Sequence, residues 1–192
     1  LKVLTFNNVR IGQPHDWELF KGSSVTSIHF EGGFLEHIDF TFGDFFDQLE
    51  FAYFTECHIK NVLLTASTEG INAFEKMKKL KFLTISHTQI EDIDWLFVAK
   101  DGFVNQILVK EYTELVRLDL SFNKITSIQF ELFEKTKAFP KLRYLNLRGN
   151  KILQKSMTPF IPLCNQLKEL WVDKDNKFKD DSECQKVKIF YT

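Results

Sequence analysis

Two stretches of this 192-residue chain share one spacing: Leu115-Val-Arg-Leu118-Asp-Leu120-Ser-Phe-Asn123-Lys-Ile125 and Leu142-Arg-Tyr-Leu145-Asn-Leu147-Arg-Gly-Asn150-Lys-Ile152. Both read L-x-x-L-x-L-x-x-N-x-I. A recurring spacing constrains a fold more than local propensity does, because each unit leaves an apolar face that only a neighbouring copy covers. The same frame returns along the chain: Leu1, Leu4, Phe6 and Ile11; Val25, Ile28, Phe30 and Leu35; Leu49, Ala52, Phe54, Cys57 and Ile59; Leu80, Leu83, Ile85, Thr88 and Ile90. Leu167, Leu170 and Val172 begin a seventh copy, and Cys184, Val187 and Ile189 an eighth. Starts at 1, 25, 49, 80, 115, 142, 167 and 184 give one repeat domain over residues 1–192. Ile38, Val62, Ile93 and Ile128 add a further apolar position three residues past the Ile of the frame.

The alternation in L-x-x-L-x-L predicts a short strand whose side chains point to opposite faces. Leu118 and Leu120 turn inward, and Arg117, Asp119 and Ser121 turn outward. Coils stacked about 4.8 Å apart then build a parallel sheet along one side. The frame resembles the leucine-rich repeat family, most closely at the two copies written out above. The resemblance implies an α/β solenoid with about eight short parallel strands on the concave face and mixed helix and loop on the convex face. It also implies that Asn123 and Asn150 are ladder residues, whose amides satisfy backbone groups where the coil leaves the strand. Cys57 and Thr88 are poor substitutes at that position, and Val9 and Gly33 have no side chain to donate. The N-terminal coils are therefore expected to be less regular.

Phe 21 stands against Gly 8 and Pro 4, so the chain needs a deep apolar interior and is not a disordered one. The frame places Phe20, Phe45, Phe46, Phe74, Phe133, Phe139 and Phe160 on the return segments, between sheet and convex side. Apolar spacing predicts helix over 71–80 and 130–136, the second ended by Pro140. Pro159 and Pro162 predict an extended or irregular sixth return. A formal charge of −1 argues against a basic nucleic-acid binder. No apolar run approaches the roughly 18 residues of a membrane span.

Catalytic patterns are missing from the sequence. His15, His29, His37, His58 and His87 form no HExxH and no Cys/His set at zinc spacing, so neither metal nor cofactor is expected. Cys57 reads as a buried thiol beside a surface His58. No GxSxG, P-loop or GxGxxG occurs. Glu91, Asp92 and Asp94 read as a solvated turn, and the insertion 94–110 lacks a nucleophile–base pair, so no enzyme activity is expected. Cys164 and Cys184 lie on the last two coils. The reading is that Cys184 fills an inward Leu slot and Cys164 a return slot equivalent to Phe139; a disulfide between them is the alternative.

The outward strand positions carry the functional expectation. Solvated strand faces are rich in Thr, Ser, Lys and Glu, whereas Phe51, Tyr53 and Phe82 form one aromatic group. Tyr144 and Trp171 form a second, with Arg117, Asp119 and Arg148 beside it. Aromatic residues and Arg are enriched at interface hot spots. These eight residues are the candidate partner-binding set; a flanking coil is the alternative cover for Phe51 and Phe82. The family resemblance implies a non-catalytic module that binds a protein partner through the concave face, with no nucleic acid and no membrane insertion. The 24-residue units and Cys57 at a ladder position also resemble animal, insect-type extracellular members, which implies secretion and immune-type recognition. The absence of an N-x-S/T sequon and of Cys-rich caps keeps a cytoplasmic adaptor that docks an enzyme as the alternative. The first copy starts at residue 1, so an end of the apolar core is expected either to self-associate or to meet a flanking segment.

Overall fold

The computed structural model describes residues 1–12, 14–38, 40–62, 77–91, 98–100, 107–109, 112–128, 139–152, 160–176 and 184–192. Eight strands form one parallel sheet: β1 (Val3–Asn7), β3 (Ser27–Glu31), β5 (Phe51–Thr55), β7 (Phe82–Ser86), β10 (Arg117–Asp119), β11 (Tyr144–Asn146), β12 (Glu169–Val172) and β13 (Lys188–Tyr191), adjacent in that order. The sheet is open, one strand per coil, as the solenoid reading requires. Inward positions are sealed: Ile28, Ala52, Leu83, Leu118, Leu145 and Leu170 are all buried.

Strand register follows the repeat frame for seven coils. Val3 faces Ser27, which faces Phe51; Phe51 faces Phe82, then Arg117, Tyr144 and Glu169 follow in one row. The eighth coil departs from it. Lys188, not Lys186, stands beside Glu169, so Ile189 and Tyr191 take the two inward places. Hydrogen bonds explain the shift. Leu80, Leu115 and Leu142 each donate their N–H to the carbonyl three residues earlier, on Met77, Tyr112 and Phe139, and Val187 donates in the same way to Cys184. Val187 is the apolar residue that opens the last coil, one residue before the row of Phe82 and Arg117 instead of the two that separate Leu80 and Leu115 from it. Cys184 occupies the return slot before it, not the Leu slot expected for it.

The N-terminal coils also correct an expectation, because they are the more regular ones. Strands β1, β3, β5 and β7 each have five residues, against three in β10 and β11. A second parallel sheet runs beside them: β2 (Arg10–Ile11), β4 (Phe34–Ile38) and β6 (His58–Val62), in the order β2-β4-β6. With equal 24-residue steps, the backbone after each turn comes into register with the next coil and bonds to it directly. Phe34 N–H donates to Val9 O at 2.9 Å, and His58 N–H to Gly33 O at 3.0 Å. Main-chain bonds thus do what the missing ladder side chains cannot.

Between the two sheets the phenylalanines stack. Phe6, Phe30 and Phe54 lie parallel, with ring centroids 4.6 and 5.3 Å apart. Trp17, from a 3-10 helix at Pro14–Phe20, meets Phe30 and Phe42 edge-on. Phe46, Phe139 and Phe160 are buried on return segments, and Phe20 and Phe45 pack against the core, as expected. Phe74, Phe133, Ile93, Pro159 and the expected helix over 130–136 lie outside the described residues, as does most of 71–80.

Helix α1 spans Phe40–Phe45 and α2 spans Ile161–Cys164. The second is a correction, since Pro162 was expected to prevent helix there. It sits in the first turn, where no intrahelical N–H is required and its fixed φ suits the helix. Inside the 94–110 insertion, β8 (Val98–Lys100) pairs antiparallel with β9 (Ile107–Val109). Cys164 and Cys184 are joined by a disulfide, with Cα atoms 5.1 Å apart, instead of standing as two free thiols. The register shift causes this: it moves Cys184 out of the strand and beside the end of α2.

Candidate functional site

Every coil must turn sharply after its strand, and the turn sets what the sheet presents. The eighth position of the frame adopts a left-handed backbone in six successive coils: Asn8 (φ 53°), Gly32 (67°), Glu56 (57°), His87 (56°), Phe122 (55°) and Gly149 (69°). Only two of these are glycine. In the first five, the N–H at this position donates to the carbonyl at the seventh position of the next coil, at 2.8–3.2 Å. At Gly149 the acceptor is the Asp173 carboxylate, which takes the Gly149 N–H at 2.7 Å and the Asn150 N–H at 3.3 Å.

Below the turn, the Asn ladder works as expected at both positions that keep it. Asn123 accepts the Thr88 N–H at 2.9 Å and donates to the carbonyls of Ile85 (2.7 Å) and Leu120 (3.0 Å). Asn150 accepts from the Ile125 N–H at 3.1 Å and donates to Leu120 O and Leu147 O at 2.9 and 2.8 Å. Cys57, two rungs before Asn123, donates weakly to Phe30 O at 3.4 Å. It is buried beside an exposed His58, as expected. Burial pushes the Cys57 thiol up to about 11; the Thr55 carbonyl opposes that and the Glu56 charge adds to it.

The eight candidate residues all stand on the outward face of the large sheet, in two groups. At the N-terminal end, Phe51 and Phe82 are register partners in edge-to-face contact, centroids 5.1 Å apart, both half-buried. Tyr53 stacks on His29 at 4.5 Å, and His29 is hydrogen-bonded to Ser27 at 2.9 Å. Burial raises the Tyr53 hydroxyl above its usual pKa, with Arg117 pulling the other way. His29 was not among the expected site residues; its outward place in the frame was the signal.

At the C-terminal end, Arg117, Asp119, Tyr144, Asn146, Arg148, Glu169 and Trp171 line a hollow of about 210 Å³. Asp119 is buried and its carboxylate is used inside the protein. Oδ1 accepts the N–H and hydroxyl of Ser121 at 3.0 and 2.6 Å, and Oδ2 accepts Asn146 Nδ2 at 3.0 Å. Arg117 lies 3.8 Å from Asp119 Oδ2. The Arg148 guanidinium lies over Phe122 at 5.0 Å and Trp171 at 5.9 Å. Trp171 stacks on Phe190 at 4.2 Å. Phe122 was not expected here. It reaches the site because its left-handed turn leaves it 41% exposed, stacked on His87 at 4.3 Å.

Chemically, this face offers aromatic surface, two guanidinium groups and few free acceptors. Among the described residues, no three His, Cys, Asp or Glu side chains converge to hold a metal ion, and no helix is long and apolar enough to cross a membrane.

Residues 113–162 match the family model described as "Leucine Rich repeats (2 copies)". Among solved structures, the chain is similar to an internalin, InlF, from Listeria monocytogenes, with TM-score 0.54 and 16% identity over 98% of this chain and 53% of that one. A leucine-rich repeat protein of Leptospira interrogans is similar at TM-score 0.52 and 17% identity, over 98% of this chain and 54% of that one. The chain spans about half the length of the structures it matches. No curated protein sequence matches it.

Proposed function

From its leucine-rich repeat fold, we propose that this chain is a non-catalytic recognition module that binds a protein partner through the outward, concave face of its large sheet. Domains of this fold generally mediate protein–protein interaction, using the extended sheet surface that stacking creates. The observation that supports this reading is the unbroken run of aromatic and Arg side chains across successive strands. Phe51, Phe82 and Tyr53 form one end, and Arg117, Tyr144, Arg148 and Trp171 the other. Large apolar groups left half-covered on a sheet gain by burial against a partner, and these residue types carry interface energy best. Asp119 serves this face by orienting Ser121 and Asn146.

The compartment belongs to the same proposal: an oxidising, extracellular one, with immune-type recognition as the finer reading. The Cys164–Cys184 disulfide supports an oxidising location over the cytoplasmic adaptor that would use the same face. Thiol titration in denaturant distinguishes them, since native protein from its own source should yield one thiol, Cys57, and three would favour the adaptor. Self-association, or cover by a flanking segment, is proposed at the first coil, where Leu1 and Val3 are 82% and 52% exposed. Sedimentation showing a monomer at all concentrations would remove self-association.

Affinity capture tests the central claim. Wild-type protein is compared with a variant carrying Phe51, Phe82, Tyr144 and Trp171→Ala, and proteins retained only by the wild type are identified and bound back in purified form. Equal recovery on both would overturn the sheet-face reading.

A further inference from the structure

We propose that the hollow between Arg117 and Trp171 seats a carboxylate side chain, an Asp or Glu of the partner polypeptide, held by the guanidinium groups of Arg148 and Arg117. This rests on the sheet-face reading above and specifies the chemistry of one subsite within it.

The hollow is set apart by its hydrogen-bonding groups. Its most deeply placed carboxylate, Asp119, already accepts three hydrogen bonds, from Ser121 N–H, Ser121 Oγ and Asn146 Nδ2. At 3.8 Å, Arg117 is within electrostatic reach of Asp119 but beyond a hydrogen bond. Arg148 forms no ion pair or side-chain hydrogen bond among the described residues, and its Nε is buried with no acceptor. Two guanidinium groups therefore face one small space with donors to spare. Guanidinium donors that face the hollow without a protein acceptor favour a ligand that supplies one.

Shape agrees with charge. The Arg148 guanidinium lies over both the Phe122 and the Trp171 rings, contacts that restrict the rotation of a long side chain before anything binds. A planar guanidinium fixed in this way matches a carboxylate through two parallel hydrogen bonds. The hollow, about 210 Å³, holds several times the roughly 30 Å³ share of one water, which is room for an Asp or Glu side chain. Two negative groups share the site: Asp119, whose oxygens are taken up by Ser121 and Asn146, and Glu169, whose Oε2 accepts the Trp171 indole N–H at 3.3 Å. They make a basic ligand side chain the natural competitor to the proposal.

The test uses a library of random peptides displayed within a scaffold, so that no free carboxyl terminus is offered. It is panned on the wild-type chain and on Arg117→Gln/Arg148→Gln. Wild type should enrich one Asp or Glu position that the variant does not. A peptide so selected should bind the variant about tenfold more weakly, and its own Asp→Asn or Glu→Gln form should lose about as much on wild type, with no further loss when the two changes combine. Arg148→Lys keeps the charge without the planar fork and should fall between, which separates recognition from misfolding. Enrichment of Lys or Arg, or an amide peptide that binds as well as the acid, overturns the proposal. Peptides that depend on Phe51 and Phe82 but not on the arginines would also overturn it, while leaving the sheet-face reading intact. If no recovered peptide responds to any outward-face substitution, both readings fall.

Discussion

Glu56, His87 and Phe122 hold φ angles of 57°, 56° and 55°, a conformation that costs an L-residue about 1–2 kcal/mol. They persist because each N–H at this position continues the sheet ladder by one more bond, so the turn is fixed from both sides. Two opposite predictions follow from the same geometry. Glu56→Gly relieves the strain at an exposed residue and should stabilise by about 0.5 kcal/mol after the entropy of glycine is subtracted. Gly149→Ala should cost about 2 kcal/mol or more, because a Cβ there would meet Phe122 Cδ1 and come within 3.0 Å of Phe122 Cα. Urea unfolding of the two variants measures both, and a destabilised Glu56→Gly would refute the strain account. Burial governs Cys57 as well. Its folded pKa, about 11, is raised above the usual thiol range, so the folded state binds the proton more tightly than the unfolded one. The resulting stability is fully present below the unfolded pKa and is lost as pH rises through the folded value. Iodoacetamide should leave Cys57 unmodified at pH 8 in folded protein and label it readily in urea.

Two devices close the coils where they leave the large sheet, and they divide the molecule. Near the C-terminal end it is the side-chain amides of Asn123 and Asn150; near the N-terminal end it is the second sheet. Asn123→Ala should cost about 2–4 kcal/mol, since it strands the Ile85 carbonyl and the Thr88 N–H in the core. Cys57→Ala should cost about 1–2 kcal/mol, because its thiol makes only weak bonds and its rung is held by β4 and β6. Thermal unfolding of the pair checks the order, and equal losses would mean that the second sheet contributes nothing at that rung. The same division explains what the sequence disclosed. Strand register was legible through seven coils because one face is buried, and a one-residue slip would turn Leu118 or Leu145 to water. The outward residues were legible for the same reason. The second sheet was not, since its bonds are between main-chain groups that carry no side-chain signature, and Val9 and Gly33 register only as missing donors. Phe122 escaped notice because its exposure depends on a backbone angle that its residue type disfavours. Pro162 misled because proline opposes helix everywhere except in the first turn.

At the level of the whole molecule, stacked coils touch only their neighbours, so the described contacts of the eighth coil are those with the seventh. Among the described residues, strand β13 pairs only with β12, the Thr192 carbonyl accepts the Lys174 N–H at 3.2 Å, and Phe190 stacks on Trp171. The Cys164–Cys184 disulfide closes the loop leading into this coil across 20 residues, a constraint worth about 3 kcal/mol. Because the solenoid is nearly one-dimensional, removing it should weaken one end more than the whole. Cys164→Ser/Cys184→Ser should therefore speed amide hydrogen exchange at Val187 through Tyr191 by about a hundredfold or more, with little change at Leu118 and Leu145. The hollow beside Trp171 should feel the same loss, since Phe190 supports the ring over which Arg148 lies. A peptide bound there should weaken, whereas the Phe51–Phe82 pair, several coils away, should keep its edge-to-face packing. Uniform acceleration of exchange in every coil would mean that the chain unfolds as one cooperative unit, and that the disulfide stabilises the entire sheet instead of the eighth coil.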